Sequence, residues 1–161
     1  MIRAMATEGI PIICMRDDCR IGYIDTPVYD KDGKVLGFLA EIKGTLLGKR
    51  FISLNDILKI DNKACIIYSE NCIKKRRYAA GGSKSCKQKK LIGKRVSRSS
   101  GGGVGVVRDI MFNTETGEIE GLEVSRGLFD DISMGRRSLL LRDCTEFGED
   151  NIIIDDNGEL I

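Results

Sequence analysis

The chain has 161 residues, is 42% apolar, carries a net charge of +2 and contains no histidine. That length fits one ordinary domain or two small ones. No apolar run approaches the roughly 20 residues that a membrane helix needs. The missing histidine removes the commonest general base, the Ser–His and Cys–His nucleophile pairs and the usual imidazole metal ligands, which argues against a conventional hydrolase.

In chain order, Met1–Gly9 lacks the long apolar stretch of a secretory leader, so the chain reads as cytoplasmic. Ile21 to Tyr29 and Val35 to Leu39 have the composition of two strands, joined by a turn at Asp30-Lys31-Asp32-Gly33. Proline cannot donate to a ladder, so Pro27 is expected at an edge or a bulge. The stretch Ser53 to Ile60 has room for a helical turn. From Ile73 to Lys90 the chain holds eight basic residues, no acidic one and a Gly/Ser-rich centre, the composition of a linker. The remainder of the chain is therefore mildly acidic. Beyond it, Val104, Val106, Ile110 and Phe112 share one face of an extended segment that Arg108 interrupts, which predicts a bulge or a half-open strand. After a turn ending at Gly117, Glu118 to Val124 alternates polar and apolar residues as a half-buried strand does.

These segments are a repeat. Gly22 and Gly105 are 83 positions apart; Gly33 and Gly117, and Gly37 and Gly121, are 84 apart. The stretch Leu58 to Ile67 is echoed by Thr145 to Ile154 at an offset of about 87. Two copies of about 70 residues each predict two similar cores. Units so small are marginally stable alone, so packing the repeats together or pairing chains would help both. Turn signals every 8–12 residues, strand glycines and the lack of a long helix predict small antiparallel β-barrels.

Gly105, Val107, Asp109, Ile110, Phe112, Gly117, Ile119 and Gly121 together form a pattern that resembles the PRC-barrel family. Gly22, Ile24, Val28, Gly33, Val35 and Gly37 resemble it less closely, with Thr26 where an aspartate is expected. The resemblance implies an all-β chain of two tandem small antiparallel barrels, residues 1–72 and 91–161, joined by the basic linker 73–90. It also implies a non-enzymatic role, because relatives use this barrel to dock onto other macromolecules. Fold analogy alone is a weak guide to function.

Several patterns invite chemistry. Lys74, Lys75, Arg76, Arg77, Lys84, Lys87, Lys89 and Lys90, with Tyr78 available for stacking, form a candidate site for phosphate backbones or another anionic partner; the plain alternative is a solvated tether. Leu128, Phe129 and Ile132, apolar residues in a polar connection, form a candidate docking loop; the plain alternative is a barrel plug. Gly101 to Gly105 lacks a following helix and is read as a loop, not a phosphate cradle. Gly44 to Arg50 has the wrong glycine spacing for a P-loop. Asp30–Gly33 and Asp155–Glu159 lack a full calcium-ligand series and are read as turns. Asp109, charged within an apolar strand, is expected to accept hydrogen bonds from a nearby turn or to pair with Arg108 or Arg142. Six cysteines without a Cys-x-x-Cys spacing are read as free thiols, those in strands serving as small hydrophobes.

The expectation is a cytoplasmic tandem-barrel adaptor without catalytic residues, metal or cofactor. Its partner would be another protein or ribonucleoprotein, and a homodimer is plausible through exposed barrel edges. The alternative is an RNA- or ribosome-associated protein that binds through the basic linker.

Overall fold

The computed structural model describes residues 1–30, 32–45, 48–75, 91–127, 137–141 and 146–156. Among them, helix is confined to three short 3₁₀ turns, Met5–Thr7, Leu54–Asp56 and Glu70–Cys72. The second of these falls in the stretch read as a helical turn. The strands form two curled half-barrel sheets.

The N-terminal strand β1 (Ile2–Arg3) belongs to the second sheet. The first sheet is built from β2 (Pro11–Cys14), β3 (Cys19–Tyr29), β4 (Val35–Ile42), β5 (Arg50–Ser53), β6 (Ile57–Ile60), β7 (Cys65–Ile67) and β8 (Ile73–Lys75), in the order β6-β7-β2-β3-β4-β5-β8. The second contains β9 (Arg95–Arg98), β10 (Gly103–Phe112), β11 (Ile119–Ser125), β12 (Arg137–Leu140), β13 (Glu146–Phe147) and β14 (Asn151–Ile154), in the order β12-β11-β10-β9-β14-β13. Read in reverse, the second order matches the first six strands of the other sheet. The sheets are not wholly antiparallel: β2 runs parallel to β7, and β9 to β14. In each sheet the first strand meets a late strand that enters from the same end, so the expected antiparallel pattern gives way at that one position.

The repeat is visible down to its irregularities. The register of β3 shifts between Ile24 and Thr26 and again between Val28 and Tyr29. That of β10 shifts between Val107 and Asp109 and between Met111 and Phe112, the same positions 83 residues on. The extra residues at the first shift are Asp25 and Arg108, and Arg108 is exposed, as a bulge residue should be. Pro27 lies between the two shifts of β3. Gly105, at φ 154°, is forced: a Cβ there would lie 2.5 Å from the Ser125 carbonyl oxygen. At the matching Gly22 a Cβ would run into the carbonyl of Glu41. Backbones this close let a short sheet curl tightly.

The interior is where expectation and structure part. Two similar cores were expected; instead the concave faces of both sheets pack into one continuous apolar cluster, from Ile12, Phe38 and Ile52 on one side to Val107, Phe112 and Leu139 on the other. The Phe38 and Phe112 rings meet 6.1 Å apart at a 50° tilt. A curled sheet of six or seven short strands leaves one side of its core open, and here each sheet covers the other's. The backbones are also joined: Val35 N–H donates to the Gly117 carbonyl at 2.7 Å, and Ala4 N–H to that of Ile110 at 2.8 Å.

Candidate functional site

With the concave faces spent on the shared core, the surface available to a partner is convex, and the two convex faces differ. On the second sheet Asp109 of β10 stands directly opposite Glu123 of β11. Both are nearly inaccessible, at 5% and 3% exposure. Like charges directly opposite repel, and a buried carboxylate requires a partner. The N-terminal segment supplies it. β1 pairs with the C-terminal half of β10, Ile2 against Phe112 and Arg3 against Met111. The Arg3 guanidinium lies 2.9 Å from Glu123 Oε2. Asp109 Oδ1 accepts from the Met5 N–H at 3.0 Å and from its neighbour Ile110 at 2.7 Å. Asp109 is thus held by a turn, one of its two expected fates; Arg108 points to solvent, and Arg142 lies outside the described residues.

The charge around Asp109 continues onto the first sheet. Burial, with Asp25 and Asp109 nearby, raises the Glu8 carboxyl above its usual range. The Tyr29 hydroxyl is buried without a hydrogen-bond partner, and burial together with the charges of Asp109 and Glu8 keeps it protonated. Asp25 is balanced by Lys49, whose Nζ lies 2.6 Å from its carboxylate.

On the first sheet the convex face is apolar. Val28, Leu39 and Phe51 form a small cluster of their own with Leu36 packed against it. Beside it runs an open groove of about 660 Å³, lined by Lys34, Leu36, Phe51, Asn55, Thr116 and Glu118, so both halves of the chain contribute to its walls. Farther along, Leu58, Tyr68 and Met15 are 56%, 56% and 52% exposed. Met15 and Tyr68 follow the neighbouring strands β2 and β7, for Met15 N–H donates to the Ile67 carbonyl and Arg16 N–H to that of Tyr68, and Leu58 lies on the adjacent β6. Tyr23, on β3, carries the Arg20 guanidinium over its ring at 5.1 Å.

The residues singled out from sequence are only partly placed. Lys74 and Lys75 are not linker: they lie on β8, opposite Phe51 and Arg50, and Lys74 Nζ is 3.1 Å from Asp56 Oδ2. The correction has a simple cause. Ile73 pairs with the buried Ile52, which carries the strand past the end of the 3₁₀ turn despite the charges that follow. Arg76, Arg77, Tyr78, Lys84, Lys87, Lys89 and Lys90 lie outside the described residues, as do Leu128, Phe129 and Ile132. Asp30 Oδ1 accepts from the N–H groups of Asp32 and Lys34, the turn expected there. Cys14 and Cys65 are buried core residues. The Cys14 thiol donates to Asp17 at 3.1 Å, and burial pushes the Cys65 thiol up to about 12, so neither is an activated nucleophile. Among the described residues no group of three or more His, Cys, Asp or Glu side chains is placed to hold a metal.

Arg3 and Glu123 had not been singled out. The stretch from Glu118 to Val124 reads as a half-buried strand, but Gly121 to Ser125 are all buried, because no sequence signal shows that a two-residue strand more than a hundred positions away covers Glu123.

The second sheet thus has the outline of a small barrel-like module. Residues 87–161 match the family model of the PRC-barrel domain. No curated protein matches the chain. Among the described residues no helix is long and apolar enough to cross a membrane.

Proposed function

We propose that the chain is a non-catalytic, cytoplasmic protein of two tandem PRC-barrel-like units, residues 1–72 being the second copy, and that it works as an adaptor docking onto another protein. The observation that carries this reading is the exposed apolar group Leu58, Tyr68 and Met15 on the first sheet. Large apolar side chains left exposed on neighbouring strands of one sheet offer a surface for a partner. What supports the tandem assignment is the common strand order and the matching register shifts of the two sheets. Exposed β8 and β6 edges leave room for a homodimer.

The test is capture from the native host's lysate with wild-type chain and with a Met15→Ala, Leu58→Ala, Tyr68→Ala triple variant, each with and without nuclease. The expected result is a nuclease-resistant partner that the variant loses while its melting temperature stays within a few degrees. Partners lost with nuclease but kept by the variant would instead favour RNA bound by the basic segment 76–90, whose six charges set a single-strand salt slope of at most about −4.

A further inference from the structure

The N-terminal segment has the position of a ligand more than that of a sheet member. β1 is only two residues long, and its strand partner is β10 of the other half of the chain, against Phe112 and Met111. Ala4 belongs to the shared core and Ile2 packs against it, while Arg3 reaches outward to the acidic pair. Asp109 and Glu123 are directly opposed on neighbouring strands, and with the arm in place they are nearly inaccessible. The main chain of β10 between Ile110 and Phe112 presents an edge that β1 completes, with Ala4 N–H on the Ile110 carbonyl. Three features thus converge on an extended backbone carrying one guanidinium: an open edge and two carboxylates. In this structure Ile2-Arg3-Ala4-Met5 takes that position. The Arg3 side chain remains 55% exposed, so solvent and competing cations reach it.

We propose that the β10 edge together with Asp109 and Glu123 is a recognition site for an extended peptide bearing an arginine, and that residues 2–5 are its resident, displaceable occupant. The partner segment adds a strand to β10, its main chain supplies the hydrogen bonds, and its arginine reads Glu123. This is strand addition with one charged pocket for specificity. The small Ala4, 1% exposed, follows the arginine and sets the size allowed at the next position. The inference deepens the docking reading above and rests on it only for the existence of a protein partner.

The probe is a labelled synthetic peptide of residues 1–9 and a control peptide with alanine for its arginine. The hosts are the full wild-type chain and the full chain with Arg3→Glu, which repels its own arm from Glu123, each first checked for a cooperative melt. Should Arg3→Glu fail to fold, Arg3→Ala takes its place. The expected result is saturable binding to the released-arm chain, at least tenfold weaker binding to wild type because its own arm competes at high local concentration, and at least tenfold weaker binding of the control peptide. Adding Glu123→Gln to the host should erase the difference between the two peptides. No saturable binding to the released-arm chain, equal binding to both hosts, or equal binding of both peptides overturns the proposal. Because the peptide is measured directly, each of these outcomes is separate from a failure of the lysate capture, which would sink the adaptor reading with this site intact.

Discussion

Thr26 and Leu39 stand in the first sheet where Asp109 and Glu123 stand in the second. The strands beneath them are alike: the same order, the same two register shifts, glycines with the same close approach to the next strand. Even the cover of the second strand glycine is matched by different means. The Phe51 ring lies over Gly37, and the Met111 side chain over Gly121. What differs is what the convex face presents, an apolar cluster on one sheet and a buried acidic pair with an arginine on the other. The backbone irregularities and concave positions that make the curl are shared. The convex positions, which the curl does not constrain, have diverged, and there any division of labour between the halves resides.

The strongest way to break the comparison is to ask whether the halves are separable at all. One core predicts one transition. Phe112→Ala removes a side chain with 0% exposure that touches Phe38 across the sheets, and is expected to cost about 3–5 kcal/mol. Phe38→Ala should cost about the same. In calorimetry each variant should melt in a single step shifted well below wild type. Two resolved transitions, with only one displaced, would show that each half keeps a core of its own.

A smaller effect sharpens the correspondence between the repeats. Gly105→Ala places a methyl against the Ser125 carbonyl at a φ that alanine avoids, and is expected to cost about 1–3 kcal/mol. Gly22→Ala, facing Glu41 in the same way, should cost a similar amount in denaturant titration. An innocuous Gly22→Ala beside a damaging Gly105→Ala would mean that the first sheet curls by another device.

The third prediction converts one face into the other. Glu123→Leu places in the second sheet the residue that Leu39 supplies in the first. It removes a buried charge that faces Asp109 and leaves Arg3, already half exposed, to solvent. The expected change in stability is neutral or favourable by about 1 kcal/mol. Hydrogen exchange at the Ala4 amide should nevertheless rise, because the arm has lost its anchor. Unchanged protection at Ala4 would mean that backbone pairing alone holds the segment.

Much of this was legible in the sequence, for a physical reason. Glycines that bend a strand, a charged residue that interrupts an apolar face and aspartates that nucleate turns act on their own neighbourhood, so Gly37, Gly121, Arg108 and Asp30 could each be read in place; Gly103 to Gly105, read as loop, instead begin β10, where the close approach of Gly105 to Ser125 depends on the partner strand. The shared core and the N-terminal arm could not. The period-2 pattern says which face is apolar but not which sheet will cover it, and two separate barrels satisfy the pattern of Ile110, Phe112 and Leu122 as well as one joint interior does. Arg3 meets Glu123 across most of the chain, through a strand too short to carry any periodicity. Lys74 and Lys75 read as linker for the opposite reason: composition outweighed the single half-buried neighbour, Ile73, that extends the sheet.

The smallest effect probes the acidic seam where the halves meet. Burial and the charges of Asp25 and Asp109 raise the Glu8 carboxyl, so the folded chain holds that proton more tightly than the unfolded chain does. Where the native state binds more protons, stability falls as pH rises. The loss begins near the unfolded value of 4.5, is complete once pH exceeds the raised folded value, and stays constant above it. Glu8→Gln removes the linkage. The variant should therefore match wild type at pH 3 and gain on it through the mildly acidic range, with the advantage level at neutral pH. Glu8 is exposed, so the gain is small and should shrink further in high salt. Melting curves of both chains from pH 3 to 8 decide the matter. A difference that does not change with pH would place Glu8 outside the field of Asp25 and Asp109, and with it would go the view that the two halves meet across a shared negative seam.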